Sequence, residues 1–365
     1  MNKRYAILLC ALLALGACSQ DQPGAPGETS AGTPGEDASN RPAQVSPRAG
    51  KLGQGTVQGA SLNGSFVYVS DAIPGSEGRG CEGAGDQVLY RVPVDGRERT
   101  MAADDTGPAR GTILRGGSKG RIALIEGCEE NPTRAFVATE SEDGRISAIQ
   151  RVPVPERSIP RLTGWSNDGL YLLGVTGDPA GDGPTPMQVV QVDPSSGDSN
   201  TLFDSEPVYR VAQLKNGSYV TQGSGTISVR TTTAVQRTYR GDFFQMSPTG
   251  DRFAVLGTGL SVVAGQGEPQ AVVPGGEEST VYSASFSQDG RNLTYVLVRN
   301  EGPQVDADLG VVIDGKAKVI KNSGLKDQVS FSFPVFAAGG RYVAYNETPD
   351  DGSNPHDVVL VEVPS

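Results

Sequence analysis

The 365-residue chain predicts an all-β fold: a β-propeller of seven blades, each of four antiparallel strands, closed by its own N-terminal strand. Three observations predict it. A short apolar run follows a glycine-containing turn seven times along the chain. The turn glycines (Gly64, Gly120, Gly169, Gly217, Gly250, Gly290 and Gly340) recur every 33 to 56 residues, the length of one propeller blade. A second hairpin signal follows within most copies, and two hairpins make a four-stranded sheet.

The turns come first in the argument. Asn-Gly and Asp-Gly supply the positive φ of a two-residue type I′ turn, whose twist matches the strands it joins. The clearest copies are SFSQDGRNLTYVLV (285–298), QMSPTGDRFAVLG (245–257) and GWSNDGLYLLGV (164–175), each with Ser three residues before the turn glycine. The strands after the turns are apolar on both alternating faces, as in Phe66-Val67-Tyr68-Val69 and Leu293 to Val298. Sheets with neighbours on both sides have that pattern, and blades stacked around an axis meet the condition. The second hairpins centre on Asp95-Gly96, Asp143-Gly144, Ser196-Gly197 and Asp314-Gly315. The last copy stops after HDVVLVEV without a fourth strand, so the segment near Gly53 to Gly59 is expected to supply it and close the ring.

The repeat resembles that of TolB-type propellers, a WD-like family whose core reads Ser-Pro-Asp-Gly-x-x-Leu-x-Phe/Tyr followed by a second Asp-Gly hairpin. The resemblance covers roughly residues 51–365. Thr249 stands where the family has Asp, and Asn167 and Gln288 stand where it has Pro. TolB itself carries an N-terminal α/β domain with no counterpart in these residues, so its partners are not carried over.

Residues 1–17 read as a leader. Lys3 and Arg4 precede an apolar core from Ala6 to Leu15 that is too short to span a bilayer. Leu15-Gly16-Ala17-Cys18 resembles a bacterial lipobox. The resemblance implies cleavage before Cys18, a diacylglyceryl group on its sulfur, and a lipid bilayer as the first partner. An ordinary signal peptide cut near Ala17 is the alternative. Ser19 resembles an outer-membrane sorting signal in a Gram-negative cell; in a Gram-positive cell the anchor would lie on the outer face of the cytoplasmic membrane. Either way the protein is extracytoplasmic, in the cell envelope. Residues 18–50 are the lipidated tether: no Ile, Leu, Phe, Tyr or Trp falls between 19 and 50, and such a segment buries too little surface to fold. As a flexible coil it spans roughly 30 Å. Residues 51–365 form the propeller, with no internal boundary.

The formal net charge is −11, and loss of Lys3 and Arg4 with the leader takes it to −13. Phosphate binding needs a concentrated basic surface, so nucleic acid is not an expected partner. With Cys10 in the leader and Cys18 at the lipobox, two cysteines remain for an oxidising compartment, Cys81 and Cys128. Both follow the second strand of their hairpins, in equivalent loops of adjacent blades, and a disulfide between them would contribute up to about 4 kcal/mol.

Catalytic readings find little support. His356 is the only histidine, in the loop ETPDDGSNPHD, and reads as a solvated loop residue. A Ser-His-Asp triad would have to use it. Gly116-Gly117-Ser118-Lys119-Gly120 matches a nucleophile elbow by letter but falls on a hairpin turn. Gly78-Arg79-Gly80-Cys81-Glu82-Gly83 matches a dinucleotide fingerprint without a following helix. Trp165, the sole tryptophan, reads as blade-interface packing.

Alternation of strands sends the glycine turns to one face and the longer connections (71–86, 127–133, 176–186, 299–308 and 347–356) to the other. Loops on a rigid scaffold are where recognition resides. The candidate binding residues there are Glu129, Glu130, Asp178, Asp182, Asp306, Asp308, Asp350 and Asp351. Paired carboxylates of this kind suit Ca²⁺, although Asp beside Gly or Pro also simply forms turns. Two function classes remain open: a binding or scaffold lipoprotein that holds an envelope protein or glycan on its loop face, and an exported hydrolase, lyase or dehydrogenase working with carboxylates.

Overall fold

The computed structural model describes residues 47–72, 87–103, 112–115, 120–127, 132–154, 159–176, 187–205, 208–348 and 356–364. Among them, 28 strands form seven four-stranded antiparallel sheets. The chain enters through β1 (Gly50–Gln54). Blade 1 is β2 (Thr56–Ala60), β3 (Phe66–Ala72), β4 (Gln87–Pro93) and β5 (Thr100–Met101). Blade 2 is β6 (Thr112–Arg115), β7 (Arg121–Gly127), β8 (Pro132–Glu140) and β9 (Ile146–Arg151). Blade 3 is β10 (Arg161–Trp165), β11 (Leu172–Thr176), β12 (Met187–Val192) and β13 (Ser199–Ser205). Blade 4 is β14 (Arg210–Gln213), β15 (Tyr219–Gln222), β16 (Thr226–Arg230) and β17 (Val235–Arg240). Blade 5 is β18 (Phe243–Met246), β19 (Arg252–Leu256), β20 (Leu260–Ala264) and β21 (Gln270–Val273). Blade 6 is β22 (Ser279–Phe286), β23 (Leu293–Glu301), β24 (Gln304–Ile313) and β25 (Lys316–Lys326). Blade 7 is β26 (Phe331–Ala337), β27 (Tyr342–Glu347) and β28 (Asp357–Glu362), completed on its outer edge by β1.

The first strands of neighbouring blades touch, including β26 against β2, so the ring closes. The core is correspondingly not one mass but seven apolar clusters, each spanning two adjacent blades. At the closure, Val57, Val67 and Val69 of blade 1 meet Val335, Ala344 and Val358 of blade 7. Between blades 2 and 3, Trp165 is buried and donates Nε1–H to the Leu114 carbonyl at 3.2 Å, with the Arg121 guanidinium 5.1 Å over its ring. Each fully buried Val, Leu or Phe contributes about 1.5–3 kcal/mol over exposure. Two-sided burial explains why the strands read as continuous apolar runs.

Closure has its own polar latch. The fully buried Asn346 accepts the Val57 amide on Oδ1 at 2.8 Å and donates Nδ2–H to the Gly55 carbonyl at 2.6 Å. Gly55, between β1 and β2, has φ of 128°, and a Cβ there would lie 2.5 Å from Val69 Cγ1. The closing strand is thus β1, at 50–54, and not the stretch near Gly53 to Gly59, most of which lies in β2 and opens blade 1.

Three further expectations are corrected. The seven turn glycines all have positive φ, from 68° to 86°, yet the signature turns are not type I′. The glycine amide donates to the carbonyl three residues back, as Gly290 to Ser287 at 2.9 Å, and Asn63, Asp168 and Asp289 do not share the positive φ. Only Asp314-Gly315, with φ of 49° and 74° between paired Ile313 and Lys316, makes the two-residue I′ turn. The signature residues explain the difference. Ser287 Oγ donates to Asp289 at 2.6 Å and accepts the Asn292 amide at 2.9 Å, while Asp289 accepts the Arg291 amide at 3.1 Å. Ser61 with Asn63 and Ser166 with Asp168 repeat the arrangement. A Ser and an Asp or Asn that satisfy the loop amides favour a wider turn whose glycine alone is left-handed.

The second correction concerns 299–308. This stretch is not a long connection but the tip of a hairpin, since Glu301 pairs Gln304 across Gly302-Pro303, with Gly302 at φ of 65°. Positive φ at the first central position is what a type II′ turn requires. The third concerns His356. It is half-buried where the ring closes, its carbonyl accepting the Gly55 amide at 3.0 Å, and burial pushes its imidazole pKa down.

Candidate functional site

Asp306 and Asp308 are the two predicted site residues that fall within the described structure. They lie on strand β24 of blade 6, two residues apart and on one face. Arg299, across the hairpin on β23, bridges them: Nη1 lies 3.2 Å from Asp306 Oδ2 and Nη2 lies 2.5 Å from Asp308 Oδ2. Asn322 on β25 completes the set, donating Nδ2–H to Asp306 Oδ1 at 2.9 Å and to Asp308 Oδ1 at 2.7 Å. All four carboxylate oxygens therefore receive a donor. The local fold builds this geometry. The Gly302-Pro303 turn sets Arg299 opposite Asp306, and a bulge in β25 at Ser323-Gly324 brings Asn322 opposite Asp308.

Asp308 is 4% exposed, and its hydrogen bond with Arg299 holds the guanidinium above its usual pKa. Burial, with the Asp308 charge adding to it, pushes the Tyr295 phenol up. Chemically, the cluster is a saturated charge network. A cation binding here would compete with Arg299 and Asn322 for the same oxygens. Among the described residues, no three His, Cys, Asp or Glu side chains converge as a metal site would need.

Cys18, Cys81, Cys128, Glu129, Glu130, Asp178, Asp182, Asp350 and Asp351 lie outside the described residues, as do both glycine-rich letter matches apart from Gly120.

Sequence reasoning missed two polar clusters that link blades. Lys321 on β25 reaches into blade 7, where Nζ lies 2.7 Å and 3.0 Å from the Glu347 oxygens and 2.9 Å from Tyr345 Oη. Burial, opposed by the Lys321 hydrogen bond, pushes the Tyr345 phenol up to about 12. The fully buried Tyr68 of blade 1 donates to Glu140 of blade 2 at 3.0 Å. Nothing local in the sequence marks either pair, because the partners are 26 and 72 residues apart. Arg299 was legible in principle: a turn at Gly302-Pro303 puts it opposite Asp306.

No family model matches the chain, and no curated protein matches it in sequence. Solved structures do match in fold. An oligogalacturonate lyase in complex with manganese superposes with a TM-score of 0.56 at 11% identity, covering 86% of this chain and 92% of that one. An oligogalacturonate lyase from Vibrio parahaemolyticus gives 0.53 at 10% identity, covering 87% and 91%. TolB from Acinetobacter baumannii gives 0.40 at 14% identity, covering 82% and 80%. The likeness is one of fold. At these identities it extends to no ligand and no reaction.

Proposed function

We propose that this chain is an extracytoplasmic lipoprotein, held in a membrane of the cell envelope by acylated Cys18, whose propeller is a binding platform for an envelope protein or glycan. The platform is the face carrying the connections between second and third strands of each blade, with Glu129, Glu130, Asp178, Asp182, Asp350 and Asp351 on it. The observation behind this reading is the Arg299–Asp306–Asp308–Asn322 network. Paired carboxylates were the residues on which catalysis would have rested, and the described pair is engaged as structure. A Cys81–Cys128 disulfide between two of the platform loops belongs to the same reading.

Crosslinking in intact cells, followed by identification of captured proteins and glycans, tests the platform. A reproducible envelope partner lost on shortening the 177–186 loop is expected. The competing reading takes its support from the shared fold of the lyases. Cleavage of oligogalacturonate by the purified protein, with or without manganese, would replace the platform by an enzyme. Intact mass with and without reductant tests the disulfide, which is expected to gain two hydrogen atoms on reduction.

A further inference from the structure

The chain is acidic overall, yet the outermost strands of its blades are basic. The outermost strands of the seven blades carry one carboxylate, Asp204 on β13. Against it stand Lys51 on β1, Arg151 on β9, Arg237 and Arg240 on β17, and four lysines on β25 alone. The signature-turn carboxylates Asp143, Asp168, Asp251 and Asp289 lie instead on the glycine-turn face. Three of the edge cations are paired by acids of neighbouring elements, Lys51 by Asp357, Arg237 by Glu268 and Lys321 by Glu347, so it is the outermost strands themselves that are basic.

The cations are densest at one point of that edge. β25 holds Lys316, Lys318, Lys321 and Lys326 within 11 residues that contain no acid, and Lys316 and Lys318 are exposed. The strand leans toward blade 7. Lys318 Nζ lies 3.5 Å from the Pro364 carbonyl, Lys321 reaches Glu347, and Ile320 packs in the same apolar cluster as Val359, Val361 and Val363. β28, which carries Val359 and Val361, pairs directly with β1. The lysine strand thus packs against β28, whose other neighbour is β1, the strand through which the chain enters; β1 carries Lys51, and 46 residues precede the first described residue of the chain.

We propose that this edge, β25 with β1, is the surface the propeller turns toward the membrane, and that its partner is a layer of anionic lipid headgroups. The inference rests on the reading of Cys18 as the lipid anchor. A lysine near an anionic membrane surface is worth about 1 kcal/mol, and the tether keeps the edge within reach of that surface. Opposing carboxylates on the faces do not cancel this. Screening at physiological salt confines the interaction to about 8 Å, so charges in contact with headgroups dominate those on distant faces. The edge-down pose also leaves the loop face open sideways to an envelope partner.

The test uses the protein extracted from membranes and reconstituted in phosphatidylcholine vesicles with or without phosphatidylglycerol and carrying a headgroup-chelated nickel lipid. Spin labels replace Val319 on β25 or Val235 on β17, two blades away round the wheel, which are 48% and 54% exposed. With phosphatidylglycerol present, nickel should relax the Val319 label faster than the Val235 label. The difference should vanish in phosphatidylcholine alone, and shrink about fivefold in population ratio for each of Lys316→Gln and Lys318→Gln. Equal relaxation at the two positions in anionic vesicles overturns the proposal. So does self-association of the Gln variants with unmoved labels, since the lysines would then serve only to blunt a sheet edge. Protection of the Val319 label by polygalacturonate but not by vesicles also overturns it. Intact mass of the same preparation separates the two levels. Absence of an acyl group removes the anchor reading, while label asymmetry on added anionic vesicles would keep the surface.

Discussion

Ser287 and Asp289 show what the repeated signature does at the scale of single residues. Burial works to raise the Asp289 pKa. Hydrogen bonds from Ser287 and the Arg291 amide, with the Arg291 charge, outweigh it and hold the carboxyl below its ordinary value of 3.8. Asp143, held by Ser141 and the Arg145 amide with Arg91 nearby, is shifted the same way against the same burial. A carboxyl whose pKa is depressed on folding adds stability that is complete above its unfolded value and is lost as pH falls through its folded value. Thermal melts should therefore show stability declining below about pH 4, and Ser287→Ala should lower Tm modestly at pH 7 and make that decline shallower, the two proteins converging at acid pH. An acid limb unchanged by Ser287→Ala would show that the hydroxyl does not hold the carboxylate. Asn346 is a residue of another kind. Its removal leaves the Val57 amide and Gly55 carbonyl buried without partners, so Asn346→Ala should cost about 2–4 kcal/mol, read as a shift in denaturant midpoint.

Among the elements, the blade 6 hairpin carries the most information. Arg299→Met strands Asp308 without its cation in a nearly closed site and should destabilise by about 2–3 kcal/mol. Replacing Asp308 by Leu in the same chain should recover part of that loss, because two apolar groups need no mutual compensation. Failure of the second change to recover anything would mean the network is not the unit described. Gly302→Ala meets open space but must hold φ of 65°, a strain of about 1–2 kcal/mol, and should cost no more than that. This hairpin is also where sequence reading went furthest astray. The clear signature copies were legible because Ser recurs three residues before the turn glycine, with Asp or Asn directly before it at 63, 168 and 289, and these side chains satisfy local amides. The Gly302-Pro303 turn carries no such Ser or Asp, so 299–308 read as loop and its two aspartates as candidate binding residues. The cross-blade contacts of Lys321 and Tyr68 were beyond reach for a different reason: they follow from how sheets stack, not from any spacing along the chain.

At the scale of the molecule, one strand does two jobs. β1 completes blade 7 by pairing with β28, from Gly50 opposite Leu360 to Gln54 opposite Asp357, and it is also the point where the proposed tether would join the wheel. Seven interfaces in a circle share the burial, so opening any one of them loosens its neighbours, and the closure between blades 7 and 1 is the one that joins the ends of the chain. A ring closed by pairing its own ends tolerates pull on the tether only as long as β1 stays paired. The salt bridge of Lys51 with Asp357 at 2.7 Å is largely exposed on the lysine side and adds little to this; the strand pairing and the Asn346 latch hold it. Amide hydrogen exchange across residues 50–54 is the most direct test of the closed wheel. The account predicts protection matching that of Asp357–Glu362, lost at both strands together in Asn346→Ala; exchange of 50–54 as fast as an unpaired tail, with β28 still protected, would contradict it.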